Sequence, residues 1–154
     1  MADVVIALPH WGPEDSAIPT SLQSQLAEEI ALAKPDLIVG NHTHVIQGYE
    51  KIAGVPVFYG LGNFVFDQNW TDHRQGAILL VTFQGRHFSD YRIIPTHVDQ
   101  DGHVTIADTT EAGEILTRFN LVGQYLADPN FDAKAITEFY PTPYPLFPGG
   151  GGLK

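Results

Sequence analysis

Asp36-Leu37-Ile38-Val39-Gly40-Asn41-His42-Thr43-His44-Val45-Ile46-Gln47 is the stretch that decides how this chain folds. A short, bulky apolar run gives way to a polar loop with two histidines, two residues apart. In an extended segment, side chains at i and i+2 point the same way. His42 and His44 are therefore expected to aim at one spot, at the C-terminal end of a buried strand. Two readings stand at this point: a pair of metal ligands, or a loop whose histidines are satisfied by hydrogen bonds.

The residues before this stretch supply its context. Asp3-Val4-Val5-Ile6-Ala7-Leu8 is a continuous aliphatic run, read as a strand buried on both faces and ended by Pro9. A helix is predicted from about Thr20 to Ala33. Thr20 or Ser21 caps it, Leu22, Leu26 and Ile30 form its apolar stripe, and Pro35 stops it. Strand, helix, strand is a βαβ unit, so the two strands should be parallel. Sites in parallel α/β sheets lie outside the C-terminal ends of strands. His10 follows the first strand, and His42 and His44 follow the second, so the topology places all three on one edge of the sheet. Neutral imidazoles suit Zn, Mn or Fe. A histidine-lined pocket without an ion is the other reading.

Downstream the pattern changes. Val55 to Tyr59 reads as a strand paired across the Ala53-Gly54 turn. Gly60 and Gly62 precede another apolar stretch and imply positive φ or close backbone approach. Ala77–Phe83 and His87–Ile94 read as antiparallel strands around Gln84-Gly85-Arg86, and a further turn falls at Gln100-Asp101-Gly102. Helices are predicted over Glu111–Phe119 and Leu121–Leu126. The fold class is therefore α/β, with α+β character in the second half. One βαβ unit is followed by antiparallel hairpins and C-terminal helices. Residues 1–127 form the domain, and 128–154, rich in Pro and Gly, form an extended tail.

Composition narrows the function. The 154 residues carry a formal net charge of −10, with 44% hydrophobic and 17% charged residues. Nothing resembles a basic patch for a phosphate backbone, so no nucleic-acid partner is expected. No apolar run approaches the roughly 20 residues of a membrane span. The start, Met1-Ala2-Asp3, lacks the basic region of a signal peptide. The chain opens directly on a core strand, which leads us to expect a missing preceding segment. No Cys is present, so disulfides and thiolate metal sites are excluded. Glu14, Asp15, Asp67 and Asp72 are candidates for ligands, for carboxylates orienting a histidine, or for solvated loop acids. His73-Arg74 reads either as a clamp for an anionic group or as a surface ion pair. Trp11 and Trp70 either wall a pocket or pack in a core.

Four ordered motifs carry a family resemblance: Val4-Val5-Ile6 into His10-Trp11-Gly12 and Glu14; Gln23, Leu26 and Ala27; Asp36 through Gly40 to His42, His44 and Gln47; and Phe58-Tyr59 through Leu61-Gly62-Asn63-Phe64-Val65-Phe66-Asp67-Gln68. The chain resembles the CapA family, associated with bacterial capsule and poly-γ-glutamate synthesis and similar to the calcineurin-like metallophosphoesterases. The resemblance implies a partial calcineurin-like sandwich and metal-dependent hydrolysis of a phosphoester. It implies divalent ions (Mn, Zn or Fe) on His10, His42 and His44. Glu14, Asn41, Asn63, Asp67 and Arg74 then fall around the metals or the substrate. Asn41 stands where the family often has a further His. The family's N-terminal half, with its carboxylate and Asn ligands and an acid His, has no counterpart here. Only the C-terminal half of the domain is matched. The partners implied are the N-terminal half or a second copy, with an anionic polymer or phosphoester as substrate, at the cell envelope or extracellular face. The rival expectations are a non-catalytic component of envelope polymer assembly, or an inactive fragment that oligomerises.

Overall fold

The computed structural model describes residues 2–67, 71–128 and 130–138. Two sheets and three helices make up this part, an α/β arrangement. The first sheet has the order β1-β2-β4-β3. β1 (Ile6–Ala7) runs parallel to β2 (Leu37–Val39), which runs parallel to β4 (Val55–Phe58). β3 (Tyr49–Ile52) pairs antiparallel with β4 across Ala53 and Gly54, which sit at φ 49° and 86°. Both turn residues are left-handed, the twist that a two-residue hairpin favours.

The crossover between β1 and β2 is α1 (Ser21–Leu32). Thr20 is its N-cap, and a capping box links the Thr20 hydroxyl to the Gln23 amide and the Gln23 side chain to the Thr20 amide. Leu26 and Ile30 of the predicted stripe pack half-buried against the sheet, but the most buried face lies one position away. Gln23, Ala27 and Ala31 are buried, whereas Leu22 is exposed. The helix is rotated about one position because Gln23 belongs to a polar chain. Its Nε2 donates to Gln47 Oε1 at 3.0 Å, and Gln47 Nε2 donates to Ser16 O at 2.7 Å. The two alanines then let the helix lie close on the sheet, against Ile38, Val57 and Tyr59.

β1 also departs from its reading. It is two residues long, and Val5, Ile6 and Leu8 are exposed rather than doubly buried. The reason is its place in the sheet: among the described residues β1 is the outermost strand, paired with β2 alone.

The second sheet has the order β5-β6-β7 and is antiparallel. β5 (Gln75–Gln84) and β6 (His87–Val98) form a long hairpin around Gly85-Arg86, and β7 is Val104–Ile106. α2 runs unbroken from Thr109 to Ala127, capped by Asp108. The two helices expected there are one. Its packing explains why Gly123 does not break it. A Cβ on Gly48 would lie 2.5 Å from the Gly123 nitrogen, so glycines let helix and strand backbones touch. α3 (Lys134–Thr137) falls in the stretch expected to be extended, and Ile136 is fully buried with Ala17 and Val122. Residues 139–154 of that tail lie outside the described residues.

Alternation along the central strands sorts the core. Ile38, Val57 and Tyr59 face α1, while Leu37, Val39 and Phe58 face Phe119, Ile115 and the second sheet. Trp11 belongs to the α1 side, stacked on Tyr59 and donating from Nε1 to Tyr59 O at 2.9 Å. It is a core residue. Trp70 lies outside the described residues. No described helix is long and apolar enough to cross a membrane.

Tyr59 yields a prediction about pH. Its hydroxyl donates to Glu50 Oε1 at 2.7 Å. Burial first, then this bond, holds its pKa far above the usual 10.0. The unfolded chain ionises Tyr near 10 while the folded chain does not. The stabilisation is therefore complete below pH 10 and is lost as pH rises toward the folded pKa, by up to about 1.4 kcal/mol per pH unit. Tyr59→Phe should flatten this alkaline loss. Urea unfolding at pH 9 and 11 measures it, with Tyr49 and Tyr91, also raised by burial, supplying the remaining slope.

Candidate metal centre

The site forms where β1 and β2 end. His10 follows β1 and pairs as an isolated parallel bridge with Asn41, which follows β2. Trp11 N donates to Asn41 O at 3.1 Å, and Asn41 N to Pro9 O at 3.0 Å. These bonds hold the two strand ends side by side. The His10 and His42 rings lie 4.4 Å apart, and those of His42 and His44 6.0 Å apart.

The histidines converge by a different route from the one expected. The segment is not extended: His42 has φ 99° and His44 φ 60°. Side chains with a Cβ seldom adopt such values, and strain of this kind costs on the order of 1–3 kcal/mol per residue. The fold supports it. Thr43, between them, is buried, donates from Oγ1 to Val45 O at 3.1 Å, and accepts at its carbonyl from Asp15 N at 2.9 Å. Gly60 packs against Thr43, where a Cβ would come within 2.7 Å of the hydroxyl oxygen.

Glu14, His42 and His44 each offer one ligand atom, and these atoms all lie within 4.8 Å of one another. His44 Nε2 stands 3.9 Å from Glu14 Oε1. Tetrahedral donors at about 2.0–2.1 Å from Zn sit roughly 3.3 Å apart, so a small side-chain contraction satisfies the ion. The oxygen and imidazole donor set suits Zn, Mn or Fe. The residues present fit a divalent cation, and Glu14 falls in the same group as His42 and His44. His10 lies beside this group through its contact with His42.

The other named residues occupy distinct places. Asn63 is 7% exposed and contacts His44 directly: Asn63 Oδ1 lies 2.8 Å from His44 Nδ1. Asp67 is exposed and outside the Glu14–His42–His44 group. Arg74 closes the short 3-10 turn Thr71–Arg74 that leads into β5, half-buried. Asp72 has no described side chain. His73 is the residue that sequence reasoning undervalued. It is buried rather than at the surface, pairs through Nε2 with Asp15, and its ring lies 6.2 Å from that of His44. Nothing in the spacing marks it, because it reaches the site from the 3-10 turn that leads into the second sheet. Phe66 adds an exposed apolar wall, its ring 4.8 Å from that of His44. A second group, Asp99, Asp101 and His103, sits in the β6–β7 turn, where Asp99 accepts from the Asp101 and His103 amides. These bonds account for it as a turn.

Comparisons with known proteins agree with this part of the chain. Residues 1–68 match the family described as "Bacterial capsule synthesis protein PGA_cap". The chain is 37% identical over 99 residues to "PGA biosynthesis protein CapA" of Bacillus subtilis (strain 168), covering 64% of this chain and 26% of that protein. It is 34% identical over 99 residues to "Capsule biosynthesis protein CapA" of Bacillus anthracis, covering 64% of this chain and 24% of that protein. It is also 31% identical over 101 residues to "Uncharacterized protein y4sH" of Sinorhizobium fredii (strain NBRC 101917 / NGR234), covering 66% and 19%. The aligned stretch thus spans about a quarter of the length of the Bacillus relatives. The residues matched by the family include the loops that carry His10, Glu14, His42, His44 and Asn63, and over them the chain is similar to the CapA proteins of bacterial capsule synthesis.

Proposed function

We propose that this chain supplies part of a divalent-metal site of the metallophosphoesterase type, serving hydrolysis of a phosphoester linkage in capsule polymer synthesis. The observation that carries this reading is the convergence of Glu14, His42 and His44, with His10 beside them, at the C-terminal ends of two parallel strands. A bound ion would supply Lewis-acid polarisation of a phosphoryl oxygen. Glu14, His42 and His44 would hold it, and His10 would extend the site toward a second ion. His73 with Asp15 walls the side facing the second sheet, and Phe66 limits access of water on the open side.

The remaining ligands are proposed to come from a segment that adds to the edge of β1 that no described strand covers. Val5, Ile6 and Leu8 present exposed aliphatic surface there, next to the strand end that carries His10. An unpaired apolar edge of this kind is a template for another strand. The donor would be the portion of the CapA relatives that this chain does not span, or a second copy. The substrate would be an anionic polymer or phosphoester, and the setting the cell envelope.

The test titrates the chain with Mn²⁺ and Zn²⁺ by calorimetry. Hydrolysis of a phosphodiester is then assayed with the chain alone and with it joined to the remaining portion of a CapA relative. Metal uptake by the chain and hydrolysis only by the joined protein support the proposal. Uptake without hydrolysis in the joined protein supports a non-catalytic role in polymer assembly instead. Absence of uptake in both sinks the metal reading.

A further inference from the structure

We infer that Asn63 is a positioning residue that makes His44 a ligand by deciding which ring nitrogen carries its proton. The inference rests on the metal reading above. Asn63 Nδ2 donates to His73 O at 2.9 Å. A carbonyl oxygen only accepts, so the amide has one orientation: Nδ2 toward His73, Oδ1 toward His44. Oδ1 in turn only accepts, and His44 Nδ1 lies 2.8 Å from it. Nδ1 must therefore carry the hydrogen. A neutral imidazole has one N–H, so Nε2 keeps its lone pair. Nε2 is the nitrogen that faces Glu14 Oε1 across 3.9 Å. With His44 neutral, two acceptors then face each other, an arrangement that a cation between them resolves.

The amide is not free to turn. Asn63 is buried, and a flipped side chain would set a donor against the Nδ1 hydrogen and an acceptor against a carbonyl, at a cost of about 1–3 kcal/mol for each group left unsatisfied. Its backbone is fixed as well. Gly62, at φ 70°, bridges to Gly76, and a Cβ on Gly76 would overlap Asn63 O. The 3-10 turn and the start of β5, which contribute none of the three residues of the group, thus fix the side chain that orients one of them.

The test begins with the metal-free wild-type protein at a pH where His44 is neutral. Long-range proton–nitrogen NMR of the His44 ring should show hydrogen on Nδ1 and none on Nε2. The opposite tautomer overturns the inference without any variant being made. Asn63→Leu should then weaken Zn²⁺ binding about 10- to 100-fold, the usual effect of losing a partner that orients a metal-bound histidine. Asn63→Asp, which keeps an acceptor toward His44 but loses the donor toward His73, should recover most of that affinity. A purely structural role would lower both variants alike. Wild-type affinity in a folded Asn63→Leu protein overturns the inference. If the wild type takes up no Zn²⁺, the metal reading fails, while the tautomer still reports on Asn63 separately.

Discussion

His42→Gly is expected to bind divalent metal more than about 100-fold less tightly than the wild type, exceeding the effect of an outer-shell change, while unfolding at a higher denaturant concentration. The two effects share one cause. His42 sits at φ 99°, outside the conformations that a residue with a Cβ adopts at low cost. Relief of that strain returns on the order of 1–3 kcal/mol, and the added freedom of glycine in the unfolded chain takes back about 0.5–1 kcal/mol. The imidazole loses little burial, since it is half-exposed, but its ring contact with His10 disappears. The net gain should be about 1 kcal/mol. His42→Ala is the comparison, because it removes the ligand and retains the strain. It should lose the metal without gaining stability. Calorimetry with Zn²⁺ and urea unfolding of the three metal-free proteins measure both sides. A His42→Gly protein less stable than His42→Ala would refute the account of strain held in place for binding.

Gly76→Ala is expected to be among the most destabilising single-atom-scale changes in the chain. A Cβ at Gly76 would lie 1.8 Å from Asn63 O, a backbone atom that cannot rotate away. The start of β5 and the loop carrying Asn63 must separate, breaking the Gly62–Gly76 bridge and the Ala77 N to Leu61 O bond. Overpacking ordinarily costs about 1–3 kcal/mol, and a rigid backbone clash belongs at or above the upper end. About 3 kcal/mol corresponds to a melting temperature lower by roughly 6–12 °C for a chain of this size. Metal affinity should fall with it, because Asn63 loses its seat beside His44. Gly113→Ala calibrates the measurement. Gly113 lies within α2 with nothing near its would-be Cβ, so alanine there should stabilise by about 0.5–1 kcal/mol. A Gly76→Ala protein as stable as the wild type would show that the two segments part easily.

Much of this architecture is legible in the sequence because it rests on local signals. Thr20 marks the start of α1, and Gly54 and Gly85 mark turns that the structure contains. The parallel pairing of β1 and β2 follows from the intervening helix. What escapes depends on neighbours far along the chain. The aliphatic run Val4–Leu8 looks like an interior strand, but nothing in its composition states whether a strand will occupy its outer side. Leu22 fits a helical stripe by spacing, but the polar chain through Gln23, Gln47 and Ser16 rotates the helix away from it. The histidine pair was legible as a pair. Its geometry was not, since alternating side chains predict an extended loop and the actual loop turns left-handed twice. The partners His73 and Asn63 meet His44 through contacts 19 or more residues apart in sequence, and no periodicity encodes them.

The β5–β6 hairpin has a consequence for the order of assembly. Its turn pairs Gln84 with His87, separated by Gly85 and Arg86 alone, while its open end pairs Gln75 with His97 and Gly76 with Thr96. Hairpins close in microseconds because their first contacts are local, whereas distant pairings must first overcome loop-closure entropy. The end that zips last is the end that receives Asn63. The β1–β2 strand ends, brought together across α1, form a second distant pairing that the same site requires. The candidate metal site is thus expected to be among the latest parts of the chain to take shape, and an ion bound there would act chiefly as a brake on unfolding, releasing only after the open end of the hairpin has frayed.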